Sequence, residues 1–140
     1  MTQEAYVSFE VAKLLKEKGF DWELRTYYNE EGDELTLHDD FADISNSEID
    51  TCDTDYIDYL DIHCTRPTQQ MAMRWVREEK KYYIQVDLDG WALGERSGYY
   101  VVISATDRDF EAHAPMEQVF FDTPEDAVES ALKYVLTNLI

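Results

Sequence analysis

Apolar positions recur at spacings of three and four in three stretches of the chain and alternate with polar ones in others. Ser8 precedes the first helical stretch, Phe9 to Lys18, in which Val11, Leu14 and Leu15 with Phe9 or Ala12 form one apolar side. A serine hydroxyl there can cap free N–H groups, and Gly19 ends the pattern behind Lys16 and Lys18, where the helix dipole favours cations. The second stretch lies between Thr65 and Glu78. Pro67 suits a first turn and Thr65 or Arg66 a cap, Thr65 being the better. Met71, Ala72, Met73, Trp75 and Val76 fill one side of this helix, whereas Gln70, Arg74, Arg77 and Lys81 gather opposite as a basic stripe. The third runs from Thr123-Pro124 with Ala127, Val128, Ala131, Leu132, Val135, Leu136 and Leu139 as its apolar positions. Threonine, proline and two acids at its start form a helix-initiation signal.

Period-two alternation marks the strands. Tyr82 to Leu88 places Tyr82, Ile84, Val86 and Leu88 on one face and Tyr83, Gln85 and Asp87 on the other. Tyr99 to Ala105 is apolar on both faces at Val101-Val102-Ile103, which predicts an inner strand. Gln118 to Phe121 reads as a short third strand after a polar loop from Thr106 to Pro115. Upstream, Trp22 to Tyr28 and Leu35 to Leu37 flank the turn Asn29-Glu30-Glu31-Gly32-Asp33 as a hairpin. Tyr56 to His63 reads as a strand leading into the second helix, and Phe41 to Thr54 as a long loop, loosely packed or mobile. These elements predict an α+β fold: a single domain over residues 1–140, mainly antiparallel sheet packed against two or three helices, with an acidic segment over about 39–55.

Charge changes the picture most. The chain has 31 acids, 12 Lys and Arg, and a formal net charge of −19. Thirteen of the acids lie between Thr26 and Thr65, a window without a single Lys or Arg, and leave 18 acids against 12 bases elsewhere. The acidity is therefore local. It argues against direct nucleic-acid binding and against an anionic membrane surface, both of which call for cations. No stretch approaches ~20 apolar residues, the length that spans a membrane. No basic region or apolar run follows Met1, so the expectation is a cytoplasmic protein without a leader, Cys52 and Cys64 remaining free thiols.

The stretch Pro67-Thr68-Gln69-Gln70-Met71-Ala72-Met73-Arg74-Trp75 resembles the core of a family of small proteins, without assigned function, from gut Bacteroidetes, their phages and mobile elements. Tyr6 to Phe20 and Thr123 to Ile140 fit the same pattern; the acidic window does not. The resemblance implies a small cytosolic accessory protein and assigns no activity and no functional residue.

Candidate chemistry thins out on inspection. Asp50, Asp53, Asp55, Asp58 and Asp61 lack the alternate ligands, central glycine and final glutamate of a calcium loop. Cys52, His63 and Cys64 lack a Cys-x-x-Cys pair and a fourth ligand for zinc. His63 and Cys64 are neighbours in a strand and face opposite ways, so they form no nucleophile–base dyad. No metal, cofactor or catalytic residue is therefore expected, and an enzyme is the less favoured reading; its form would be a small enzyme with an unrecognised carboxylate site. A self-assembling structural protein is a further alternative. The favoured expectation is a non-enzymatic acidic protein that binds a basic protein partner, in its sharper form as a nucleic-acid mimic. Asp50, Asp53, Asp55, Asp58 and Asp61 would steer the partner, with Tyr56, Tyr59 and Phe41 as anchors. The bland alternative for the window is a solvated loop, and for the stripe Arg74, Arg77 and Lys81 a solvated helix face.

Overall fold

A computed structural model of the chain describes residues 5–37, 42–51, 61–89 and 98–140. Two compact units emerge, one formed by Tyr6–Thr68 and the other by Gln69–Ile140 together with Ala5. The fold class is α+β, as expected; among the described residues each unit holds a three-stranded antiparallel sheet.

In the N-terminal unit, helix α1 (Phe9–Glu17) starts where Ser8 Oγ accepts the Val11 N–H at 3.2 Å. It ends at Gly19, whose φ of +97° is left-handed. Strands β1 (Thr26–Asn29) and β2 (Glu34–Thr36) form the expected hairpin; β1 is shorter than the stretch from Trp22 to Tyr28, and β2 starts and ends one residue before the expected Leu35 to Leu37. Its turn is organised by Asn29, whose Oδ1 accepts the N–H groups of both Glu31 and Asp33 at 2.9 Å. Gly32 follows at φ +86°.

The expected loop from Phe41 to Thr54 contains a helix, α2 (Asn46–Thr51). A reciprocal cap starts it: Ser45 Oγ accepts the Glu48 N–H at 3.3 Å, and the Glu48 carboxylate accepts the Ser45 N–H at 3.2 Å. Asn46 is buried and ties three segments together. Its Nδ2 donates to the Phe20 carbonyl at 2.8 Å, and its Oδ1 accepts the Thr65 N–H at 2.9 Å. Ile49, on the same helix, joins Tyr27, Leu37 and Ile62 in the core, with Leu35 and Ile44 packed around them.

Strand β3 (Ile62–Thr65) pairs antiparallel with β1, giving the sheet order β2-β1-β3. This corrects the expected start of the second helix. Thr65 is the last residue of a strand opposite Tyr27, and Pro67 offers its carbonyl to the Val7 N–H at 3.0 Å. The side chain of Arg66 is only 9% exposed; its guanidinium lies over the Tyr6 ring, 4.0 Å from the centroid, and 3.7 Å from Glu34 Oε2.

In the C-terminal unit, α3 (Gln69–Lys80) buries Gln69, Ala72, Trp75 and Val76, while Met71 and Met73 are only half-buried. Lys81, expected on the helical stripe, lies just beyond the helix at φ +64°, and the chain reverses there into β4 (Tyr82–Leu88). Strand β5 (Tyr99–Ala105) is the central strand, with Val101, Val102 and Ile103 all buried, as its two apolar faces required. The third strand is not Gln118 to Phe121. It is β6 (Glu111–His113), inside the expected polar loop, whereas Phe121 makes only an isolated bridge with Tyr99. Helix α4 (Pro124–Tyr134) starts on Thr123, whose side chain accepts the Asp126 N–H, and continues into a π-helical turn, Val135–Leu139. Its buried Ala127, Val128, Ala131 and Leu132 pack on β4 and β5 and against α3. Each large aliphatic side chain so buried contributes roughly 1.5–3 kcal/mol.

Candidate functional site

The N-terminal unit carries the acidic surface. Of the window's carboxylates within the described residues, Glu30, Glu31, Asp33, Glu34, Asp43, Asp50 and Asp61 are exposed and Glu48 is half-buried. Four of them sit on or beside the β1–β2 turn, where the Asn29 cap holds the backbone in a tight reversal. Asp50, at the end of α2, and Asp61, at φ +51° just before β3, come together around one depression of about 510 Å³. Glu30, Lys16, Ile49, Ile62 and His63 complete its lining.

One ion pair and one carboxylate–imidazole contact organise this depression. Lys16 Nζ lies 2.7 Å from Asp50 Oδ1 and also donates to the His63 carbonyl at 2.6 Å. Glu30 Oε2 is 3.1 Å from His63 Nδ1, and the Glu30 N–H donates to the Asp61 carbonyl at 2.9 Å. The side chains of Glu30 and Asp50 are each 60% exposed. A carboxylate–imidazole pair can move protons, but a base that works as a catalyst also needs a nucleophile within reach. Cys64 is adjacent in sequence and turned away: it is fully buried, and burial pushes its thiol up to about 12. Among the described residues no group of three or more His, Cys, Asp and Glu side chains is placed to hold a metal ion. The arrangement is suited to contact with cationic groups at a wet surface.

Asp53, Asp55, Asp58, Tyr56, Tyr59 and Phe41 lie outside the described residues. One further acid belongs to the same region though not to the window: Asp21 accepts the Ser47 N–H at 2.8 Å, and this bond holds its carboxyl below the usual range.

The C-terminal unit places the basic stripe differently from the helical wheel. Arg74 and Arg77 line a concavity of about 440 Å³ between α3 and β4, with Gln70, Met71, Met73, Tyr83 and Ile84. Lys81 does not line it; its ammonium donates to the Glu78 carbonyl at 2.7 Å. Arg74 is paired with Glu78, Nε to Oε1 at 2.9 Å. Met71 and Met73 belong to the apolar side read from the sequence, but they are only half-buried and contribute apolar lining to this concavity.

No protein-family model, no curated protein and no solved structure matches the chain. Fold and site together define a small acidic α+β protein that presents seven of its eight described window carboxylates at the surface. Among the described residues, no helix is long and apolar enough to cross a membrane.

Proposed function

We propose that this chain is a non-enzymatic accessory protein that binds a basic protein partner through the acidic surface of its N-terminal unit. The observation that carries the reading is the exposure of seven of the eight window carboxylates within the described residues, in a window of 13 acids and no Lys or Arg. Such a surface produces a negative field that raises the rate of encounter with a cationic patch. Its reach at physiological salt is about 8 Å, so the interaction weakens steeply as salt is added. In the sharper form of this reading, the exposed carboxylates near the turn and around the depression take the part of nucleic-acid phosphates. The partner on this reading is itself a nucleic-acid-binding protein, and polyanions compete for it. The resemblance of the Pro67–Trp75 stretch to small mobile-element proteins supports the accessory role and a cytoplasmic setting.

The test compares native protein with a variant carrying Asp50→Asn, Asp53→Asn, Asp55→Asn, Asp58→Asn and Asp61→Asn, both used as bait in host-cell lysate. A basic partner held by the native protein, released by heparin and lost from the variant is the expected result. Identical partners on both baits would overturn the reading and leave the window as a solvated surface.

A further inference from the structure

We propose that the free edge of β4, beside the α3 concavity, takes up an extended peptide in which apolar residues alternate with carboxylates. Among the described residues, the sheet order β4-β5-β6 leaves β4 with a neighbour on one side only. Its register tells which backbone groups are unused. The Thr106 N–H donates to the Lys81 carbonyl and the Asp89 N–H to the Gly98 carbonyl, so the odd-numbered residues flanking β4 bond across to the chain at either end of β5. In an antiparallel ladder this orientation alternates. The N–H and C=O groups of Tyr83, Gln85 and Asp87 therefore turn toward β5, and those of Ile84 and Val86 turn outward. Among the described residues, neither Ile84 nor Val86 makes an outward backbone hydrogen bond. A row of unpaired backbone groups of this kind is a template for one more strand.

The concavity lies along that same edge. Tyr83 and Ile84 are successive strand residues on opposite faces of the sheet, yet both line it. A hollow that touches both faces of a strand sits at its margin, and the other margin of β4 is occupied by β5. The wall opposite is α3, with Met71 and Met73 half-buried and Arg74 and Arg77 exposed. Thioether side chains adapt their shape to varied apolar partners. The phenol ring of Tyr83, 44% exposed, adds apolar contact at the rim.

Charge selects the occupant. The two guanidiniums are three residues apart on the helix, about 4.5 Å along its axis. Same-face side chains of a strand recur at roughly 6.6 Å, so one peptide carboxylate, or two in succession, can meet the pair. Arg77 makes no ion pair among the described residues; Arg74 would exchange Glu78 for the peptide. The chain as a whole repels a strongly acidic ligand, so the fitting peptide is one whose carboxylates alternate with apolar residues.

The experiment uses the full-length protein and a short fluorescein-labelled peptide in which valine alternates with glutamate, followed by fluorescence anisotropy at about 0.15 M salt. The protein is expected to bind it, and Arg74→Glu with Arg77→Glu to weaken binding by roughly tenfold or more through loss of charge-assisted bonds. The same peptide N-methylated at alternate residues, so that it cannot complete a strand, is expected not to bind, and this control leaves the protein unaltered. Equal binding of the N-methylated peptide would overturn addition at the edge. Equal binding of a valine–lysine peptide would overturn the carboxylate preference. A dimer of the unliganded protein that the peptide dissociates would also overturn the proposal, by assigning the edge to a second copy.

Discussion

Replacing Asn46 by alanine tests the packing argument for the N-terminal unit most directly. The side chain makes two hydrogen bonds, both to backbone groups of other segments: the Phe20 carbonyl at 2.8 Å and the Thr65 N–H at 2.9 Å. Asn46 and Thr65 are both buried, so water does not readily replace either bond. Each backbone group left without a partner costs about 1–3 kcal/mol, which gives roughly 2–4 kcal/mol for the pair after partial relaxation. Against a total stability of about 5–15 kcal/mol this is a large loss. It corresponds to a fall in Tm of roughly 5–15 °C for a chain of this size. The assay is urea unfolding followed by circular dichroism, native protein beside Asn46→Ala. Asn46→Asp provides an internal comparison, because it keeps the acceptor for the Thr65 N–H but sets a carboxylate oxygen against the Phe20 carbonyl. Thr51→Ala, which removes an exposed bond to the Ser47 carbonyl in the same helix, is expected to cost under about 0.5 kcal/mol. If Asn46→Ala changes stability by no more than Thr51→Ala does, the assignment of Asn46 as the tie between Phe20, α2 and β3 is wrong.

Three further outcomes follow from single groups. In a Cys52→Ser background, native Cys64 is expected to resist iodoacetamide at pH 8 and to react once urea unfolds the chain, because the thiol is fully buried and its pKa is about 12; reaction of the native protein at the rate of free cysteine would contradict this. The Tyr27 hydroxyl donates to the Leu24 carbonyl and accepts the Ile44 N–H at 3.1 Å, and burial raises its pKa to about 12 from a model-peptide value of 10.0. Folding therefore favours the protonated phenol: its contribution is fully present below pH 10 and declines as pH rises toward 12. Stability curves over that range should converge for native protein and Tyr27→Phe, and parallel curves would count against the assignment. Gly32→Ala combines a left-handed φ of +86° with a Cβ only 2.8 Å from Phe9 Cδ2, and is expected to destabilise by roughly 1–2 kcal/mol in thermal unfolding; a neutral result would mean that the turn relaxes freely.

Local signals carried much of the fold. Ser8 with Gly19, and Thr123 with Pro124, bracketed or started helices through capping chemistry that acts within a few residues. Tyr82–Leu88 and Tyr99–Ala105 were legible because alternation and double-sided burial are properties of the strands themselves. What escaped depends on partners distant in sequence. Thr65-Arg66-Pro67 has the composition of a helix start, but pairing with β1 claims Thr65 for a strand. Glu111–His113 has little β character of its own and becomes a strand through register with Val102 to Ser104. Helix α2 is too short to show a period, although Ser45 and Glu48 at the three-residue spacing of a reciprocal cap were a signal available in the sequence. For the site, the clustering of acids was plain. That Asp50 and Asp61 share one depression with His63, and that Arg74 and Arg77 share one concavity with Tyr83 and Ile84 of β4, required the topology.

The pairing of β1 with β3 has a kinetic consequence. The two strands are adjacent in the sheet, but the chain between them is the acidic window itself. Closing a loop of that length costs about 3 kcal/mol in chain entropy before any contact is gained. The electrostatic repulsion of thirteen acids adds to that barrier and swells the unfolded chain. The window is thus a connection through which the sheet must close, and the charge that would attract a cationic partner also slows the folding of the unit that presents it. On the proposed reading, a partner that neutralised the window would relieve this repulsion, and recognition and folding of the unit would then be energetically coupled.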